Sequence, residues 1–215
     1  RDLLATHYHL IFSNTTATLE VHWNLVKRYF LIPSSFWWQK TSVVLFEGKT
    51  VQIIEPEKYL LYLCFRLFDH QFIPLKFMLH IGMFLQQNRS LDYERVFGYA
   101  DRFKMTKLVI FTLKIVYEFT QTPIPEKYNN FKLCGYETLK EKIISLSFEN
   151  NQAPHRAKLL FSFYLLDFRT FANVIVNQLF PKSAEVRLRY NLSPGSMKVF
   201  PYMVLNPLLM IFRKK

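Results

Sequence analysis

Near residue 55 the spacing of apolar residues in this chain changes from about 2 to about 3.6, and that change sets what the chain can fold into. Before it the pattern alternates. In the stretch 3–12 (LLATHYHLIF), Tyr8, Leu10 and Phe12 take one side and His7, His9 and Ile11 the other. Ser13-Asn14-Thr15-Thr16 is a turn signal. The stretch 17–23 (ATLEVHW) alternates again, with Leu19, Val21 and Trp23 on an apolar face and Glu20 and His22 on a polar one. This spacing predicts an antiparallel hairpin. A lone hairpin is marginal in water, so it needs a sheet to belong to. Residues 43–54 supply a second hairpin, turning at Glu47-Gly48-Lys49.

After the change the period is helical. Glu55-Pro56-Glu57 is a helix start, because proline suits the first turn and carboxylates suit the positive end of the helix dipole. Further helices are predicted after Pro74, after a cap at Ser90, from Thr106 and after Gly135. Thr122-Pro123-Ile124-Pro125 is the clearest break. One long helix is expected over 155–180, stopped by Pro181, and the prolines of 182–215 predict only short helical pieces there. The expected class is α+β: a small antiparallel β part over 1–54, then a mainly α-helical domain over 55–215.

Composition supports that class. With 22 Phe and half its residues hydrophobic, the chain has ample material for a core. Its 5 Gly are too few for a turn-rich all-β protein or a phosphate-cradling loop. The net charge of +12 favours polyanionic partners such as nucleotides, nucleic acid or an anionic membrane surface, though a solvated basic exterior is an equal reading. Cys64 and Cys134 make no disulfide framework, so a cytoplasmic setting is expected, with Cys64 as core filler. No integral membrane segment is predicted, because no stretch of about 18 uncharged apolar residues occurs. The tail 197–215 is the one candidate for a helix lying on a membrane surface, and its two prolines argue against a continuous helix.

Few residues stand out chemically. Glu20, His22, His7 and His9 fall on one polar face of the predicted hairpin, where they can hold a divalent metal or a phosphate; an ordinary wet face is the more frequent reason for such a pattern. His70, Lys76 and His80 fall near a helix–helix junction; for His70 and Lys76, phosphate binding is open beside an at least equally frequent plain surface role. Trp37-Trp38 reads as core or domain packing in preference to an exposed contact.

The string Leu19-Glu20-Val21-His22-Trp23-Asn24-Leu25 resembles the E-L-H-W-R-L signature of the uncharacterised nucleotidyltransferase family, a branch of the polymerase-β-like superfamily. Downstream, Gly48, Glu55-Pro56-Glu57 and Leu60-Leu61-Tyr62-Leu63-Cys64 are similar to the strand and the L-x-P-E-x-L-L-x-H-L-C stretch that follow it. His70, Leu75-Lys76-Phe77, Thr122-Pro123-Ile124-Pro125, Leu179-Phe180-Pro181 and Arg189-Tyr190 match further pieces in the same order.

The resemblance implies a fold, a reaction and a site. The β part becomes the remnant of a nucleotidyltransferase sheet. The reaction is transfer of a nucleotidyl group from a nucleoside triphosphate, with Mg2+, to an acceptor that is RNA, protein or a small molecule. Glu20 takes the place of the third metal carboxylate, and His22 lies beside it as a catalytic candidate. His7 and His9 become supporting candidates. His70, Lys76 and Arg66 are the candidates for holding the nucleotide.

The chain departs from the pattern in two ways. The family's Gly-Ser turn and D-x-D pair belong upstream, and no D-x-D or D-x-E pair occurs here in a strand context. The chain begins at Arg1, so it reads as the C-terminal portion of such a protein, not expected to bind two metals. Arg66 stands where a histidine is expected and His80 where an aspartate is, which points to a diverged substrate side. The alternative is a non-catalytic basic helical binding module that lacks the metal site.

Overall fold

The turn at Glu47-Gly48 is the sharpest local requirement met in the β part. Both residues have positive φ, 48° and 75°, the combination of a two-residue hairpin turn whose twist matches its strands. Glycine takes the second position at no steric cost. The computed structural model describes residues 9–14, 16–22, 24–73, 75–148, 155–180, 183, 186–187, 190, 192–193 and 195–212. Around that turn, β3 (Ser42–Phe46) and β4 (Lys49–Ile53) pair antiparallel. Upstream, β1 (His9–Ser13) pairs antiparallel with β2 (Thr18–His22), joined by a turn in which Asn14 Oδ1 accepts from the amides of Thr16 and Ala17. Each ribbon is a sheet of two strands. Helices make up most of the remainder, so the class is α+β, as the change of period predicts.

The helices are α1 (Ser34–Trp38), α2 (Pro56–Asp69), α3 (Leu75–Gln87), α4 (Tyr93–Arg102), α5 (Thr106–Thr120), α6 (Glu126–Asn129), α7 (Tyr136–Phe148), α8 (His155–Leu165), α9 (Phe168–Leu179) and α10 (Val199–Phe212). The switch from strand to helix falls between β4 and α2. Compactness divides the chain differently, into residues 1–29 with 169–215, and residues 30–168.

Three helix expectations are corrected. The start of α4 is capped by Asp92, not Ser90: the Asp92 carboxylate accepts from the Arg95 amide at 3.0 Å, a stronger cap because it sits where the first free amides are. The expected single helix over 155–180 is two, α8 and α9, because Asp167 directly precedes α9 and aspartate favours helix starts. Residues 199–212 of the tail form a continuous helix, α10, in spite of Pro201 and Pro207. Pro201 lies in its first turn, where a missing amide costs nothing.

In the unit of residues 30–168, α5 is the centre. Leu108, Val109, Ile110, Phe111, Leu113, Ile115 and Val116 cover most of its circumference and are all buried, while Lys107, Lys114 and Glu118 share the remaining stripe. An apolar face that wide needs several elements to cover it. It contacts α2, α3, α4, α6 and α8. On α3, Gly82 makes the approach to α5 possible, since a Cβ there would lie 2.9 Å from Thr120 Oγ1 at the end of α5. Phe72 joins the same core, ringed by Phe68, Phe111 and Phe161 at centroid distances of 5.0–6.4 Å.

Gln71 and Phe72 reach that position with φ of 56° and 60°. Such left-handed residues cost about 1–3 kcal/mol each outside glycine. Burial of the Phe72 ring, worth about 1.5–3 kcal/mol, offsets part of it. The turn carries Phe72 inward and leaves His70 at the rim.

The start of α2 is pinned by buried charge. Lys58 is 2% exposed. Its Nζ lies 3.3 Å from Glu55 Oε2, donates to the Gln39 carbonyl and sits 5.2 Å over the Phe36 ring. Tyr99 donates to Glu55 Oε2 at 3.1 Å, and Arg95 lies 3.7 Å from Glu55 Oε1. Glu57 accepts from the Asp92 amide at 3.3 Å. The two carboxylates therefore do more than suit the helix dipole: they tie α2 to α4, and Lys58 ties it to α1. Beside them Trp37 is fully buried, edge-on to Phe36 and Phe65, whereas Trp38 is half exposed.

Lys58→Met should cost about 3–5 kcal/mol in urea unfolding, because it leaves the Glu55 carboxylate buried without its main countercharge. Glu55→Gln with Lys58→Met should cost clearly less than the two single losses together; strictly additive losses would show that the pair is not coupled.

Alkaline stability has a defined sign. Burial pushes the Cys64 thiol from its ordinary 9.0 up to about 12. Burial, and then the 2.8 Å hydrogen bond that Tyr136 donates to Glu118, raise the Tyr136 phenol. Both groups hold their protons more tightly when folded, so their contribution is complete below the unfolded values and is lost as pH rises towards the folded ones. The melting temperature should fall from about pH 9 upward, and Cys64→Ala should shallow that fall relative to neutral pH. An identical slope in the variant would remove Cys64 from this account.

Candidate functional site

The fixed start of α2 determines which of its residues face α3. Tyr59, Tyr62, Arg66 and His70 recur at spacings of three and four, so they line one stripe of α2. Phe77, His80 and Phe84 recur likewise along α3. The two stripes meet. Tyr59 lies edge-on to Phe84 at 5.2 Å, and its hydroxyl is 3.5 Å from His80 Nε2. Tyr62 accepts from Arg66 Nη1 at 2.9 Å.

At the far end of the stripe, Phe77 collects two cations and an imidazole. The Arg66 guanidinium carbon is 5.4 Å from its ring centroid, Lys76 Nζ is 5.4 Å, and the His70 ring lies at 4.6 Å, tilted by 33°. Cations are held over an aromatic face by its quadrupole. Arg66 is half-buried; His70, Lys76 and His80 are exposed. Among the described residues neither Arg66 nor Lys76 pairs with a carboxylate. Asp69, next to His70, pairs with Lys158 at 3.2 Å. The phenol of Tyr59 is raised by burial and then by Tyr62, with Arg66 opposing, so it stays protonated at neutral pH. The result is a water-accessible group of cations on an aromatic base, a setting suited to an anion with several oxygens.

The three residues predicted to hold a nucleotide, Arg66, His70 and Lys76, are thus brought together on one ring. Phe77, Tyr59 and Tyr62, which organise them, were not singled out as site residues in the sequence. Their signal is the shared helical spacing with Arg66 and His70, masked by the large number of aromatic residues that serve the core.

Glu20 and His22 lie on β2, in the unit of residues 1–29 with 169–215. The register sets Glu20 opposite Ile11 and His22 opposite His9. Alternation then gives these four positions one face of the ribbon, the face expected from the sequence. Of Glu20, His22 and His9 only the backbone is described, and His7 lies outside the described residues. The opposite face carries Phe12, Leu19 and Val21, all substantially exposed. Among the described residues no group of three or more His, Cys, Asp or Glu side chains is placed to hold a metal ion. No helix among them is long and apolar enough to cross a membrane.

A model of one protein family, described as an uncharacterised nucleotidyltransferase, matches residues 2–121. No curated protein and no solved structure matches the chain. The matched region runs from β1 to the end of α5 and contains Glu20, His22, Arg66, His70 and Lys76; the pieces at 122–125 and 179–190 lie beyond it. With more than half of its length matched, the chain belongs to the uncharacterised nucleotidyltransferase family.

Proposed function

We propose that this chain serves metal-dependent transfer of a nucleotidyl group from a nucleoside triphosphate, with the cluster on Phe77 holding the triphosphate and Glu20 holding the metal beside His22. Family membership supports the general kind of reaction. The observation that carries the rest is the convergence of Arg66, His70 and Lys76 on one ring, with two of the charges free of carboxylate partners among the described residues. In this reading residues 1–54 belong to the catalytic core and 55–215 form a substrate or partner domain. The acceptor is RNA, protein or a small molecule, and the setting is cytoplasmic.

Each side chain has a separate task. The Arg66 guanidinium presents a planar fork to two phosphate oxygens, and its bond to Tyr62 fixes the fork's direction. Lys76 supplies a compact charge on the same ring, and His70 adds a donor that strengthens when protonated. Phe77 keeps all three in place. On β2, a carboxylate with imidazoles at neighbouring register positions is a donor set that divalent cations accept, and Glu20 is the hard oxygen ligand that Mg2+ prefers. A bound ion would neutralise phosphate charge during transfer.

Two measurements test this. Titration with a fluorescent triphosphate should give binding that Arg66→Ala and Lys76→Ala each weaken by about tenfold or more, with Arg66→Lys restoring it only in part. Transfer of label from α-labelled triphosphates to RNA, protein and small-molecule acceptors should be abolished by Glu20→Gln. Triphosphate affinity unchanged in both cluster variants would sink the assignment of the cluster. Absence of transfer together with Mg2+-independent RNA binding would instead establish the alternative, a non-catalytic basic helical binding module.

A further inference from the structure

The described part of the helix at 199–212 buries its polar residue and exposes several apolar ones. Its polar residue points inward: Asn206 is fully buried, donates to the Leu179 carbonyl at 2.8 Å and accepts from Tyr190 at 3.1 Å. Tyr202 stacks on Tyr190 at 4.4 Å on the same inner side. Among the described side chains Val199 is buried, but other apolar residues point outward. Phe200 and Val204, one helical turn apart, are 67% and 72% exposed, and Met197 just before them is 78% exposed. The two hydrogen bonds of Asn206 fix the helix about its axis, so it cannot roll to hide this stripe without orphaning a buried amide. In the same unit Val176 and Phe180 are also about half exposed.

The charge of this region is as biased as its apolar exposure. Residues 169–215 hold eight Lys and Arg against a single acid, Glu185, a net +7 out of the chain's +12. Lys198 adjoins the outward stripe in sequence, and Arg213-Lys214-Lys215 follow α10 directly. Outward apolar residues flanked by cations are the pattern of a helix that lies in the plane of an anionic bilayer surface. The expectation that the prolines of this tail forbid such a helix falls with the continuity of α10.

We infer that α10 and its flanking cations dock the protein on an anionic lipid surface, with Met197, Phe200 and Val204 entering the interface. Nucleic acid satisfies the charge but offers little to Met and Val, which neither stack on bases nor hydrogen-bond to them. A second copy offers apolar surface but brings its own +7 against this one.

Cosedimentation of the 215-residue chain with vesicles tests the inference. Binding to phosphatidylcholine vesicles containing about 30% phosphatidylglycerol should be at least about tenfold tighter than to phosphatidylcholine alone, and should weaken at high salt. Phe200→Asp with Val204→Asp should lower it by about tenfold or more, with unchanged helical circular dichroism, since both positions face outward. Equal binding to the two vesicle types, or none, overturns the inference. So does binding that the double substitution leaves intact and single-stranded RNA displaces, which would assign the charge to nucleic acid. Self-association lost in the double variant, without vesicle binding, would assign the stripe to a second copy and equally overturn it.

Discussion

Helix α5 is apolar over most of its circumference, all but the stripe of Lys107, Lys114 and Glu118, and a helix of that kind is stable only when other elements cover it. That single constraint arranges α2, α3, α4, α6 and α8 around it. It also explains where the aromatic residues go: Phe68, Phe72, Phe111 and Phe161 fill the spaces between the surrounding helices and the centre. Close packing leaves little freedom, so even one added carbon at Gly82 would meet the Thr120 hydroxyl. The α2–α3 pair that carries the cationic cluster is thus held from behind by α5.

Two kinds of charge act on this frame. At the start of α2, Lys58 and Glu55 are taken out of water and are matched by Tyr99, Arg95 and the Gln39 carbonyl. A buried pair of this sort adds little net stability but penalises any other docking of α1 and α4. At the end of α2 the charges stay wet: Arg66 and Lys76 rest on the face of Phe77. One helix thus has a closed electrostatic end that sets its position and an open end available to a ligand. Just past the open end, the left-handed pair Gln71 and Phe72 sends Phe72 into the core while His70 stays with Phe77.

Much of this was legible along the chain. Alternation around Leu19, Val21 and Phe12 marks the first ribbon, and Glu47-Gly48 marks the second. Pro56 marks the start of α2 correctly because a local rule, the free first-turn amide, decides it. The cap of α4 went to Asp92 instead of Ser90 because two capping residues stood two apart, and helix phase chose between them. The break at Asp167 was hidden by apolar spacing that runs on through it. Arg66, His70 and Lys76 could be named from the sequence, but their meeting on Phe77 could not, since it needs α3 to fold back on α2.

By itself the sequence determined the class of fold, the family and the helix and strand types, because these follow from spacing, from proline and glycine positions and from short ordered motifs, all local properties. Tertiary structure decided which side of each element meets water. Leu19 and Val21 form an apolar face yet are exposed, and Asn206, a polar residue in an apolar stretch, is buried with hydrogen bonds to Leu179 and Tyr190. Periodicity states only that two faces differ. Which face turns inward depends on the partner that long-range packing supplies, and that partner lies far away in the chain.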